Sequence, residues 1–253
     1  EDPQGKNILP NQTYHAADDV FLDFVTIDPF KSLENYGLTM RKANDAKPNM
    51  YDFPTLCGWL VSQPEYGDGE PKNNSRALLE ELRIAKKDGF MNYTPVAVRL
   101  EPDFYCYTKF GNTQEGWWDN KHWSDSTMTL PALMEPYETF GKFDAAVNAL
   151  GGIPFTYFQS SLPSNDFAQK HPDWMLNNDI SLLHAEHRHH MPFVKYDYTD
   201  LGFRKYTLDT WKRLRSEGMR GIKFDYPESA WAKDGGFEDK SYTTTSAYRQ
   251  PFQ

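Results

Sequence analysis

Between Gly218 and Trp231 the chain reads Gly-Met-Arg-Gly-Ile-Lys-Phe-Asp-Tyr-Pro-Glu-Ser-Ala-Trp, and two of these residues can do chemistry together. The β-prone run Gly221-Ile222-Lys223-Phe224 delivers an ammonium and then a carboxylate two residues apart, Lys223 and Asp225. Side chains alternate along a strand, so Lys223 and Asp225 share one face while Ile222 and Phe224 take the other. Pro227 ends the strand, because it has no amide hydrogen to give the ladder. Charged groups at the C-terminal end of a strand that follows a helix are where parallel α/β folds build their sites. The same pair also fits a plain surface ion pair. The nearby rings of Phe224, Tyr226 and Trp231 weigh towards a site.

Other residues at expected strand ends fit the same chemistry. Trp59, Asp103, Trp117 and Trp118 add indoles and a second carboxylate. Sugar hydroxyls need polar partners and the apolar face of a pyranose needs an aromatic plate, so this set describes a sugar pocket. Trp117 and Trp118 serve equally well as rim packing. In the cluster His184, Glu186, His187, Arg188, His189, His190 the side chains of His184, Glu186, His187 and His190 are of ligand type, but their spacing matches no zinc signature and the cluster reads as a solvated or sugar-lining loop. No metal and no cofactor are expected. Cys57 and Cys106 make no disulfide framework and read as small buried thiols near strand ends.

The elements that must position these groups alternate. Strands are expected at residues 55–62, 96–103, 153–158 and 221–224, and helices at about 75–88, 136–150 and 202–217. Strand and helix alternating at this spacing imply a parallel sheet with crossovers. Returns from helix to strand are short and glycine-marked (Gly89, Gly151-Gly152, Gly218), whereas the loops after strands are long. A (β/α) barrel shows that asymmetry, and a doubly wound sheet shares it. No Gly-x-Gly-x-x-Gly or phosphate-loop pattern follows any strand, which argues against nucleotide binding. Upstream, residues 20–27 read as a strand, the last of a β domain, followed by a helix over about 30–43 and a linker over 44–52. The division expected is therefore 1–50 for the end of that domain with its linker helix, and 51–253 for a partial barrel.

Composition bounds the rest. The 253 residues are 25% charged and 15% aromatic, enough to bury a substantial core. A formal net charge of −9 disfavours nucleic acid and anionic membranes as partners. No apolar run reaches the roughly 18 residues of a membrane span.

Several segments, in order, resemble a known family. Asp166 to Leu176, with His171-Pro172-Asp173-Trp174, looks like the His-Pro-Asp-Trp stretch of the α-galactosidase-like glycoside hydrolases of family 36, in clan D. Gly58-Trp59 resembles that family's first barrel strand, and Glu101-Pro102-Asp103 with Gly116-Trp117-Trp118 its paired-Asp strand and Trp loop. Tyr196-Asp197-Tyr198-Thr199-Asp200 and Lys223-Phe224-Asp225 resemble its fourth-strand approach and nucleophile motif. The matches span roughly Pro54 to Trp231.

The resemblance implies a (β/α)8 barrel of which about the first half to two-thirds is present. It also implies a retaining exo-α-glycosidase that hydrolyses or transfers a terminal sugar. Asp225 would be the nucleophile. Lys223 would bind substrate hydroxyls and favour the ionised form of Asp225, since a nearby cation lowers a carboxyl pKa. Asp103, Trp59, Trp117, Trp118 and Arg188 would line the sugar. The family's acid/base lies on a later strand and has no counterpart in this chain, so a second chain or a further segment is expected to complete the barrel, and a homo-oligomer is compatible with that. Pro102 stands where the family has the first of two Asp, which bears on which sugar is held. Asp225-Tyr226-Pro227-Glu228 is closer to the Asp-Met-Asn-Glu of the family 31 α-glucosidases. The alternatives are such an α-glucosidase-like enzyme, a catalytically silent carbohydrate-binding relative, or, last, a metal-dependent hydrolase built on the histidines. The substrate expected is a glycoside or oligosaccharide, and the setting periplasmic or secreted.

Overall fold

A computed structural model describes residues 10, 11, 13, 20–47, 52–58, 74–100, 132–159, 165–180, 194–225 and 236–250. The chain divides into two compact units, one within Asn7–Asp52 and the other within Phe53–Gln253.

In the smaller unit, residues 20–27 do not form the expected strand. The Asp23 carboxylate accepts the Val25 and Thr26 amides at 3.1 and 2.9 Å and the Ser32 hydroxyl at 3.0 Å. That side-chain turn satisfies the backbone locally and bends it out of an extended path. The bonds to Thr26 lead in holding the Asp23 carboxyl well below the usual range. Helix α1 (Pro29–Ala43) follows, with Asp28 as its cap and Pro29 in its first turn.

In the larger unit four strands alternate with helices. They are β1 (Thr55–Cys57), β2 (Ala97–Arg99), β3 (Ile153–Gln159) and β4 (Gly221–Asp225). Between them run α2 (Ser75–Lys87), α3 (Phe140–Leu150), α4 (Asn165–Lys170) and α5 (Leu201–Glu217), with α6 (Thr244–Arg249) after β4. The sheet order is β1-β2-β3-β4 and every pairing is parallel. Each new strand is therefore added on the same side of the last, and α2 packs on α3 and α3 on α5. A doubly wound sheet would reverse direction from its first strand and place helices on both faces. This is the winding of a (β/α) barrel, of which the described residues supply four strands.

Caps fix the helix starts. Asn74, Thr139 and Asp200 accept the amides of Ala77, Lys142 and Phe203. The layer between sheet and helices is apolar: Leu78, Leu79 and Leu82 of α2, Phe140, Phe143 and Val147 of α3, and Leu214 of α5 bury against Val98 and Phe158. Ile222 and Phe224 pack on the same cluster, and Phe224 meets Phe158 edge-on at 5.0 Å. A second, aromatic cluster joins Phe167, Met175, Tyr196, Tyr198 and Phe203.

Candidate active site

Because Ile222 and Phe224 face the helices, Lys223 and Asp225 face the inner side of the sheet. The Lys223 ammonium lies 3.3 Å from an Asp225 carboxylate oxygen, and the two side chains keep 26% and 30% of their exposure. Solvent or a ligand can therefore reach both groups, while the strands hold their backbones. Tyr157 is in register with Lys223 on the neighbouring strand, and the ammonium stands 5.2 Å from the centre of its ring. Tyr157 is 1% exposed, so the ring forms a fixed wall. Two residues earlier, on the same face, Phe155 pairs with Gly221. A Cβ on Gly221 would collide with that ring, so only glycine admits it.

The inner face continues across the sheet. Arg99 pairs in register with Cys57 and with Phe155, and its guanidinium donates to the Cys57 sulfur at 2.8 Å. Cys57 is half-buried, more open than the buried thiol expected. The inner face thus carries Cys57, Arg99, Phe155, Tyr157, Lys223 and Asp225, whereas the opposite face is apolar apart from the buried Thr156. Such an inner face can meet a hydroxyl-rich ligand through the donors and acceptors of Lys223 and Asp225, with the buried Tyr157 ring backing Lys223.

Of the residues singled out in the sequence, Lys223 and Asp225 are brought together. Trp59, Asp103, Trp117, Trp118 and Arg188 lie outside the described residues, as do Cys106 and the histidine cluster 184–190. Tyr157 and Arg99 were missed. For Arg99 the signal was present, a charged residue in the otherwise apolar run Val96-Ala97-Val98-Arg99-Leu100, whereas Tyr157 reads as core until its register against β4 is known. Among the described residues no group of three or more His, Cys, Asp and Glu is arranged to hold a metal ion, and no helix is long and apolar enough to cross a membrane.

The two other motif segments have structural work to do. His171 stacks on Trp174 with ring centres 3.8 Å apart, and Trp174 packs against the aromatic cluster. Burial, then the charge of Lys170, lowers the His171 pKa. Tyr196 to Asp200 is not a strand but the turn into α5, tied to Met175 by one antiparallel bridge. The buried Asp197 carboxylate accepts the Thr199 amide at 2.8 Å, the Thr199 hydroxyl at 2.7 Å and the Glu238 amide at 2.5 Å. Those local bonds satisfy the backbone and remove any need for a ladder partner. Glu238 is held above its ordinary pKa, first by its hydrogen bond with Asp200 and then by the negative charge of that residue.

No family model matches this sequence, and no curated protein matches it. Among solved structures, the chain is similar to a maltogenic α-amylase from Thermotoga neapolitana, at 17% identity and a TM-score of 0.44 over 69% of this chain and 39% of that one. It is also similar to an α-galactosidase from Thermus thermophilus, at 14% identity and a TM-score of 0.47 over 78% of this chain and 34% of that one. A third is an α-N-acetylgalactosaminidase from Bifidobacterium bifidum, at 11% identity and a TM-score of 0.45 over 79% of this chain and 32% of that one. The aligned part of this chain spans between 32% and 39% of the length of these three proteins.

Proposed function

We propose that this chain is the nucleophile-bearing part of a retaining exo-α-glycosidase of the α-galactosidase type. The observation that carries this reading is the Lys223–Asp225 pair, 3.3 Å apart on the inner face at the end of β4. Asp225 attacks the anomeric carbon and forms a glycosyl ester, as the bond from that carbon to the aglycone oxygen breaks. The departing oxygen takes its proton from a second carboxyl, which retaining chemistry places about 5 Å from the first. Water then attacks the ester, returns a proton to that second group and frees Asp225; a sugar hydroxyl in place of water gives transfer instead. Lys223 donates hydrogen bonds to the ring hydroxyls and orients the carboxylate, and Tyr157 bounds the pocket beside it. The preference for α-galactosides rests on the family resemblance of the motifs. The ending Asp225-Tyr226-Pro227-Glu228 favours α-glucosides as the second substrate class.

The test uses an activated 2-deoxy-2-fluoro glycoside, which leaves the glycosyl ester trapped. With the protein as encoded in full, a mass increase of one sugar on a peptide holding Asp225, lost in Asp225→Asn, supports the proposal. Turnover of an aryl α-galactoside or α-glucoside that survives in Asp225→Asn overturns it. No labelling and no turnover in the wild-type protein selects the silent carbohydrate-binding relative.

A further inference from the structure

Asp144 lies on the inward side of α3, fully buried, and neither of its carboxyl oxygens meets a hydrogen-bond partner. Its neighbour across the α3–α5 contact is Glu217, the last residue of α5. One Glu217 oxygen takes the Arg213 guanidinium at 2.9 Å, and the other is buried without a partner. Gly218 ends that helix at φ +120°, and a Cβ there would stand 3.1 Å from the Asp144 Cβ. The Asp144 carboxyl thus sits inside the junction where α5 turns into β4.

Four cations on the packed elements are engaged elsewhere. Arg215 of α5 donates to the Met219 carbonyl, and Lys142 of α3 pairs with Glu138. On α2, Arg83 binds Glu80 and Tyr137, and Lys86 binds the Leu150 carbonyl. Among the described residues no cation is paired with Asp144, and the charge that acts on it is the like charge of Glu217. An ionised carboxylate buried without a partner is strongly disfavoured.

We propose that Asp144 is kept as a neutral acid and works as a pH-operated latch on the α5–β4 turn. Protonated, it lets α3 and the end of α5 close on each other. Ionised, it repels Glu217 and draws water into the junction, loosening Gly218 and the turn that places Lys223 and Asp225. Burial first, and then Glu217, push its carboxyl up to about 8 from the ordinary 3.8. The sign follows directly. The folded chain holds a proton there that the unfolded chain releases, so the stability from this group is complete below pH about 4 and falls as pH rises to about 8. This inference rests on the helix layer alone and stands or falls separately from the glycosidase reading.

The experiment is a carbon-13 NMR titration of aspartate side-chain carboxyls, with urea midpoints from pH about 5 to about 9, for wild type, Asp144→Asn and Glu217→Gln. The expected results are an aspartate titrating near pH about 8 that vanishes in Asp144→Asn, and a wild-type midpoint that falls with pH more steeply than that of Asp144→Asn. Glu217→Gln should move the titration to lower pH. Amides of Met219 and Arg220 should exchange faster above the transition in wild type. The proposal is overturned by an Asp144 signal that titrates in the ordinary range near 4, or by identical pH slopes for wild type and Asp144→Asn. If Asp144→Asn fails to fold, the Glu217→Gln shift decides the matter.

Discussion

Lys223 is placed by two neighbours of different kind: the Asp225 carboxylate at 3.3 Å and the face of Tyr157 at 5.2 Å. A cation over a ring gains about 0.5–1 kcal/mol where the site is partly open. If Lys223 works from that position, Tyr157→Phe, which keeps the ring, should change kcat/KM on the preferred glycoside by no more than about twofold. Tyr157→Leu should lower it by about fivefold, the equivalent of ~1 kcal/mol. Steady-state kinetics on folded variants checks this, and equal values for the two variants would exclude a positioning role for the ring. Lys223 and Asp225 were legible in the sequence because strand alternation is rigid: once β4 is assigned, the two must share a face. Tyr157 was not, because an aromatic in an apolar strand reads as core until its register against β4 is known. Asp197 shows the opposite case. The segment that holds it resembles the family's fourth-strand approach, yet its oxygens are occupied by Thr199 and Glu238.

Among the elements, β4 depends on a glycine that no side chain can replace. The Phe155 ring occupies the space over Gly221, leaning in turn edge-on against Phe53 at 5.9 Å. Gly221→Ala forces the ring out of its place, and such overpacking costs roughly 1–3 kcal/mol. The urea midpoint of that variant should fall accordingly, whereas Gly221→Ala combined with Phe155→Ala should recover part of the loss. Additive losses in the double variant would show that the ring is not the obstacle. Helix positions were readable because caps and glycine stops are local: α2, α3 and α5 begin and end within a few residues of the ranges their sequences imply. The strand expected at residues 20–27 failed because its apolar pattern was sound but Asp23 and Ser32 supplied a competing local turn. Alternation alone carries no information about such side-chain bonds.

For the whole chain, alternation of strand and helix with long loops after strands fits both the barrel and the doubly wound sheet, and the resemblance of the motifs points to the barrel. Strand order decides between them, and strand order is set by contacts between residues far apart in sequence. Five of the site residues, Trp59, Asp103, Trp117, Trp118 and Arg188, lie outside the described residues, so the candidate site is legible from its β4 end alone. The two units differ in how they are built. Among the described residues every member of both apolar clusters belongs to residues 53–253, and α1 of the smaller unit buries none of its residues. The larger unit therefore draws its hydrophobic stabilisation from its own residues, in proportion to the apolar area it removes from water. A chain beginning at Phe53 should keep its far-ultraviolet circular dichroism per helix and strand, and its urea midpoint should match that of the full chain. A midpoint lowered by more than ~1 kcal/mol of stability would show that the residues before Phe53 support the sheet and helix layer after all.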